Sequence, residues 1–325
     1  MAYKAPVRDL TFILNDVLDI DRYASHPGFA DVSSDLVNQI LEEGAKFAEE
    51  VIAPLNRVGD LEGCKWDNGK VTGPTGWKEG YQQMVAAGWP ALSALPEHGG
   101  QGMPSVVAMA FGTMTAAASP AFSMYPGLTA GAYWGLNANG SDELRARYLP
   151  KMATGEWGGT MNLTEPQCGT DLGLIRTKAV PNEDGSYNIT GQKIWISSGE
   201  HDFTDNIIHL VLARIEGAPA GIKGISLFVV PKVFVNDDGS LGERNVGAAC
   251  GGLEHKMGIH GNATCVMDYD NAKGWSIPTC GACCWRPEPS SKGARPSPCG
   301  PRCRPTCSIP TMRPKPRKPM ITWAW

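Results

Sequence analysis

Near residue 155 the spacing of apolar residues changes from a helical repeat to a strand repeat, and that change limits the folds open to the chain. Upstream, Leu36, Val37, Ile40, Leu41, Phe47, Ala48 and Val51 recur at helical spacing, with Glu42, Glu43, Lys46, Glu49 and Glu50 on the other face. This predicts an amphipathic helix over 33–53, capped by Ser33 or Ser34 and stopped or bent at Pro54. A turn-rich stretch through Gly59, Gly63, Asn68, Gly69 and Gly73 follows. Further helices are expected from Trp77 to Ala87, ended by Gly88, from Pro104 to Ala118, from Leu128 to Asn139, and after the Ser141 cap. Downstream, Tyr187–Ser198 alternates, Ile207–Ile215 and Gly224–Val235 are β-rich, and Cys265–Tyr269 reads as a short strand. A helical block followed by a β block argues for an α+β chain of separately packed parts. The expected parts are an all-α domain over 1–157 and a β-barrel-like or β-sandwich domain over 158–277.

The pattern fails again at Pro278. From there to Trp325 lie eleven prolines, six of the ten cysteines, and nine Lys or Arg against one acid, Glu288. Residues 1–277 carry 20 basic and 32 acidic side chains. No helical or strand period survives in 278–325, so disorder is expected. Three origins fit: a shifted reading frame, a thiolate metal site on Cys280, Cys283, Cys284, Cys299, Cys303 and Cys307, or a basic segment for an acidic partner. A frame shift accounts best for so abrupt a break, so no metal site and no nucleic-acid partner are expected. The charged content of 19% is that of a globular chain. No run of about 18 apolar residues suggests a membrane span, and no apolar leader follows Met1, so a cytoplasmic location is expected.

No Gly-x-Gly-x-x-Gly follows a strand, which disfavours a dinucleotide held in the Rossmann manner. The informative segment is MNLTEPQCGTDLG, Met161–Gly173. Asn162, Thr164 and Thr170 gather short polar side chains beside a Pro and Gly that tighten the loop. Such a loop presents several donors in one direction, as the carbonyl oxygens and N5 of a flavin ring require. Glu165, a carboxylate before a proline, reads as structural rather than as a catalytic acid. The second segment is GQKIWISSGE, Gly191–Glu200. Trp195 offers a flat face, and Ser197 a hydroxyl on the same side of a strand. By itself this reads better as an ordinary buried tryptophan on a strand.

Together the two segments, TEP-x-x-GTD and then K-x-W-I-S-x-G, resemble the acyl-CoA dehydrogenase family. PEHGGQG (96–102), LPKMATGEWGGTMNLTEP (149–166), KGISLFVVPK (223–232) and EHKMGIHGNATCVMDYD (254–270) resemble its other segments in order. The likeness covers about 1–277. Its opening resembles the longer bacterial branch that includes 3-methylmercaptopropionyl-CoA dehydrogenases. The resemblance implies FAD as cofactor, an acyl-CoA as substrate, electron-transfer flavoprotein as acceptor and a homo-oligomer. It also implies that Met161, Asn162, Leu163 and Thr164 line the flavin, with Trp195, Ile196 and Ser197 on its edge and Thr170 near both flavin and CoA. Cys168 stands where the family carries a small residue, and is expected to pack rather than react. The family's proton-abstracting Glu belongs to a C-terminal helical domain, and nothing after Ile277 resembles that domain. No catalytic residue is therefore assigned, and the chain is expected to be a truncated, inactive form. The alternative is a non-catalytic binding or regulatory module that uses the basic tail. His255 and His260 are expected to be loop or strand residues rather than metal ligands.

Overall fold

The structure, a computed structural model, describes residues 2–277, so the readings of 278–325 lie outside the described residues. Its first half is helical: α1 (Val7–Thr11), α2 (Ser34–Phe47), α3 (Ala53–Glu62), α4 (Trp77–Ala86), α5 (Ser105–Ala118), α6 (Pro120–Asn139) and α7 (Asp142–Ala153). A small hairpin, β1 (Lys65–Asp67) and β2 (Lys70–Thr72), separates α3 from α4. Ser33 and Ser141 cap α2 and α7 by accepting from the amides of Leu36 and Leu144. Replacing Ser141 by alanine leaves that amide without its cap, and about 1 kcal/mol should be lost in a denaturant melt.

Three helical expectations need correction. Pro54 does not stop the first long helix. A π-helical segment, Ala48–Ile52, absorbs the change of hydrogen-bond register, and Pro54 falls in the first turn of α3, where its missing N–H costs nothing. Gly59 is not a turn residue but lies buried inside α3, where a Cβ would stand 2.2 Å from Cζ2 of Trp77. α6 begins at Pro120, eight residues before the predicted start, because Ser119 caps it and Pro120 suits its first position.

The second half is β: β3 (Gly158–Asn162), β4 (Lys178–Pro181), β5 (Tyr187–Ser197), β6 (Ile207–Ile215), β7 (Ile225–Pro231), β8 (Val233–Val235), β9 (Leu241–Arg244), β10 (Ala248–Leu253) and β11 (Thr264–Ile277). The predicted short strand at Cys265–Tyr269 is thus only the first part of a 14-residue strand. A bulge between Tyr269 and Ala272, with Asn271 at φ 52°, breaks the alternation that would have revealed its length. β11 pairs with β5 from Thr264 to Gly274 and with β10 from Cys265 to Tyr269, and its last three residues pair with β7. Because β7 also pairs with β6, β6 with β4, and β4 with β5, these five strands close on themselves. The sheet is barrel-like, and the chain is α+β. β3 lies parallel to the first half of β6 and carries the first candidate segment.

One core fills the helical layer around Trp77, Phe111, Phe122 and Tyr125, and another fills the barrel around Ile189, Val211, Phe228 and Met267. A third joins the halves, with Tyr133, Leu136, Leu149 and Met152 against Ile208, Leu210, Val229 and Ile277. Gly159 allows this contact: a Cβ there would meet Ala132 at 2.8 Å, and its amide donates to Thr129 Oγ1 of α6. β3 is thereby fixed against α6. No helix among the described residues is long and apolar enough to cross a membrane.

Candidate functional site

The two segments singled out in the sequence are bonded to each other. Thr160 Oγ1 of β3 donates to the Ser197 carbonyl at 2.9 Å, and the Ile194 amide donates to the Thr164 carbonyl at 2.9 Å. Within the first segment lies a tight turn, Glu165–Cys168, closed by reciprocal amide–carbonyl bonds of 2.8 and 3.0 Å. Pro166 suits such a turn because its ring presets φ and no amide is needed there.

Beneath the turn sits a buried ion pair. Lys193 and Glu165 expose 0% and 3% of their side chains, and Lys193 Nζ lies 2.8 Å from Glu165 Oε1. The ammonium also donates to the Leu163 carbonyl. The carboxylate accepts from the Thr177 amide and hydroxyl, the Arg176 amide and Gln167 Nε2. Burial pushes the Glu165 carboxyl upward, but bonds from Lys193, Thr177 and Arg176 and the lysine's charge outweigh it, leaving the group at about 2. Burial lowers the Lys193 ammonium against the pull of Glu165. A carboxylate held this firmly in its ionised form is a poor proton carrier at neutral pH, in keeping with the structural role expected of Glu165.

The predicted residues divide into outward and inward sets. Met161 and Trp195 are 37% and 43% exposed, and Thr164 and Ser197 are half-buried beside them. Thr170 is exposed past the turn. Asn162 and Ile196 turn inward: Asn162 Oδ1 accepts from Tyr269 OH at 2.9 Å inside the barrel, and Ile196 belongs to the barrel core. Leu163 is half-buried, with its carbonyl taken by Lys193. Cys168 is buried in the turn, as expected of a packing residue. Strand β5 is less regular than the alternation implied. Ile194 and Trp195 together oppose the single residue Val266, and Trp195 adopts φ 60°. This bulge turns Trp195 outward although Lys193, two residues earlier, points inward.

A cation faces the exposed indole: Lys256 Nζ lies 4.3 Å from the Trp195 ring centroid. Lys256 belongs to the 254–263 segment, which borders a cavity of about 350 Å³ against the C-terminal end of α3. Asn262 and Thr264 line the cavity, and each has a buried side-chain oxygen without a partner among the described residues.

Sequence reasoning passed over Lys193, Tyr269 and Lys256. Lys193 left a signal, since it falls on the inward parity of Tyr187 and Ile189 in a strand otherwise apolar on that side. Its partner lies 28 residues away, where no local pattern reaches.

Residues 34–156 match the N-terminal domain of acyl-CoA dehydrogenases, and residues 160–272 match the middle domain. The chain belongs to the acyl-CoA dehydrogenase family. It is 46% identical over 277 residues to a 3-methylmercaptopropionyl-CoA dehydrogenase of Ruegeria pomeroyi, covering 85% of this chain and 47% of that protein. It is 40% identical over 284 residues to a butyryl-CoA dehydrogenase of Syntrophomonas wolfei, covering 85% and 46%. The chain therefore spans about half the length of these relatives. Among solved structures, the Bacillus anthracis acyl-CoA dehydrogenase complexed with FAD matches with a TM-score of 0.59 at 24% identity, covering 75% of this chain and 37% of that one. At that identity the likeness is one of fold. In this acyl-CoA dehydrogenase chain the matched middle domain contains both candidate segments, the buried Glu165–Lys193 pair and the 254–263 segment.

Proposed function

We propose that the face formed by Met161, Thr164, Trp195 and Ser197 is one wall of an FAD site, and that the protein acts in α,β-dehydrogenation of an acyl-CoA thioester. The observation that carries this reading is the exposed pair Met161 and Trp195, on two hydrogen-bonded segments that also carry the half-buried Thr164 and Ser197. Two large apolar side chains left open beside two small donors suit a flat ring with a polar edge. When bound, FAD would supply the hydride acceptor. Met161 and Trp195 would cover part of its face, and Thr164 and Ser197 would hydrogen-bond its edge. Thr170, on the exposed side of the turn, would meet the substrate. The inward-facing Asn162 and Ile196 and the half-buried Leu163 would support the wall from behind. The similar Ruegeria protein suggests a 3-methylmercaptopropionyl thioester as substrate, and electron-transfer flavoprotein is the acceptor this reading names. The division at 157/158 into helical and β domains belongs to the same proposal.

No carboxylate among the described residues is assigned as the proton-abstracting base, and one wall alone leaves a bound ring open to water. The purified chain should therefore bind added FAD weakly and reversibly and show no acyl-CoA-dependent reduction of an electron acceptor. Fluorescence titration with FAD and a dye-reduction assay test both parts. Stoichiometric FAD that survives gel filtration, with turnover, would show the inactive reading to be wrong; no FAD binding at all would remove the wall. Trp195→Ala, a half-exposed position with little packing to lose, should weaken FAD roughly three- to tenfold, the worth of one aromatic contact.

A further inference from the structure

Both ring nitrogens of His260 face backbone carbonyls. Nδ1 lies 3.1 Å from the Asp60 carbonyl in the last turn of α3, and Nε2 lies 2.8 Å from the Lys256 carbonyl. A neutral imidazole has one N–H, so it can satisfy only one of these acceptors; the imidazolium satisfies both. The surroundings reinforce the charged form. The Asp60 carboxylate is 3.6 Å from Nδ1, and the C-terminal end of a helix favours a cation. The two carbonyl contacts raise the His260 pKa above its ordinary value; burial opposes them more weakly, and the Asp60 charge adds a lesser upward effect.

The other groups around the cavity are Glu62 and Cys64 beside the end of α3, and Glu254, His255 and Lys256 on the segment itself. Glu62 is engaged by the Thr75 amide. The His255 ring centroid is 5.2 Å from that of His260, and its protonation would oppose the charge. Lys256 also opposes it, but its ammonium is turned to Trp195.

We propose that His260 is a titratable latch: as an imidazolium it ties the 254–263 segment to α3 and so holds Lys256 over the Trp195 ring, and its deprotonation releases the strap. The sign follows from the raised pKa. The latch is closed below the ordinary histidine range and opens as pH rises through the higher folded value. Other bonds keep the segment from leaving altogether: Cys64 N to the His260 carbonyl at 3.1 Å, Tyr125 OH to the Gly261 carbonyl at 3.1 Å, and Ala263 N to Tyr125 Oη at 3.0 Å. What loosens is the tip from His255 to Ile259, which carries Lys256 and the fully exposed Met257. The latch stands whether or not Trp195 meets a flavin, so its test needs no ligand.

Two-bond ¹H–¹⁵N spectra of the full chain, assigned with His260→Gln, should show both His260 nitrogens protonated below the midpoint. That midpoint should lie above the ordinary histidine value of about 6.5 and move downward in Asp60→Asn. Hydrogen exchange in 255–260, corrected for the chemical pH dependence, should rise roughly tenfold across the midpoint, and this step should be absent in His260→Gln. A single neutral tautomer at pH 6, or exchange that follows only the chemical rate in the wild type, would overturn the latch.

Discussion

Lys193→Met is expected to lower folding stability by about 3–5 kcal/mol, because it leaves the Glu165 carboxylate buried without its counter-ion. Thr177, Arg176 and Gln167 would still donate to that carboxylate, so collapse is not complete, but the charge would have no partner. The double variant Lys193→Met with Glu165→Leu should recover most of the loss, since desolvating two charges offsets much of what their attraction returns. Denaturant melts of the three proteins measure this directly. A Lys193→Met loss below about 1 kcal/mol would mean that the pair is not buried as described. The same pair gives a pH dependence. Glu165 is held below its unfolded value, so its contribution is present above the ordinary carboxylate range and is lost as pH falls from about 5 toward 2. Acid should therefore release the turn that follows Thr164, and the wild type should lose more stability across that window than the double variant.

A comparable loss is expected at Trp77. Its side chain is wholly buried, with its indole N–H donating to the Leu55 carbonyl, and it lies between two glycines. A Cβ on Gly59 of α3 would stand 2.2 Å from the ring, and one on Gly261 of the 254–263 segment would stand 2.4 Å from it. Trp77→Ala should cost about 3–5 kcal/mol, the range for removing a buried aromatic that its surroundings cannot refill. Gly59→Ala provides a sign test. In an open helix alanine would gain about 1 kcal/mol over glycine. Here the clash with Trp77 should outweigh that gain, because overpacking a filled core costs about 1–3 kcal/mol. A more stable Gly59→Ala protein would contradict the described packing. Gly59→Ala in the Trp77→Ala background should recover the helix gain, since the ring that it strikes is gone.

What is legible along the chain depends on the range of the forces involved. Local signals were enough for α4, α5 and α7 and for β6, because caps, glycine stops and residue type mark each within its own segment. Hydroxyl and turn residues marked Met161–Gly173, and an aromatic with a nearby hydroxyl marked Trp195–Ser197, but it was the likeness to the acyl-CoA dehydrogenase family that joined the two. Local signals did not show breaks in the backbone register, nor which way a side chain turns when a distant residue decides it. Pro54 continues the helical run because a π segment adjusts the register. The length of β11 was hidden by a bulge, and Asn162 turns inward because Tyr269, 107 residues later, supplies its hydrogen bond.

By itself, then, the sequence determined the order of a helical half and a β half and the two segments that make the candidate wall. Only the tertiary structure decided that the strands close through β7 and β11, that Lys193 sits under the turn opposite Glu165, and that a bulge against Val266 turns Trp195 outward. The physical reason is that helix and strand periods are written within about ten residues, whereas closure, burial of charge and strand register are set by partners brought together from across the chain.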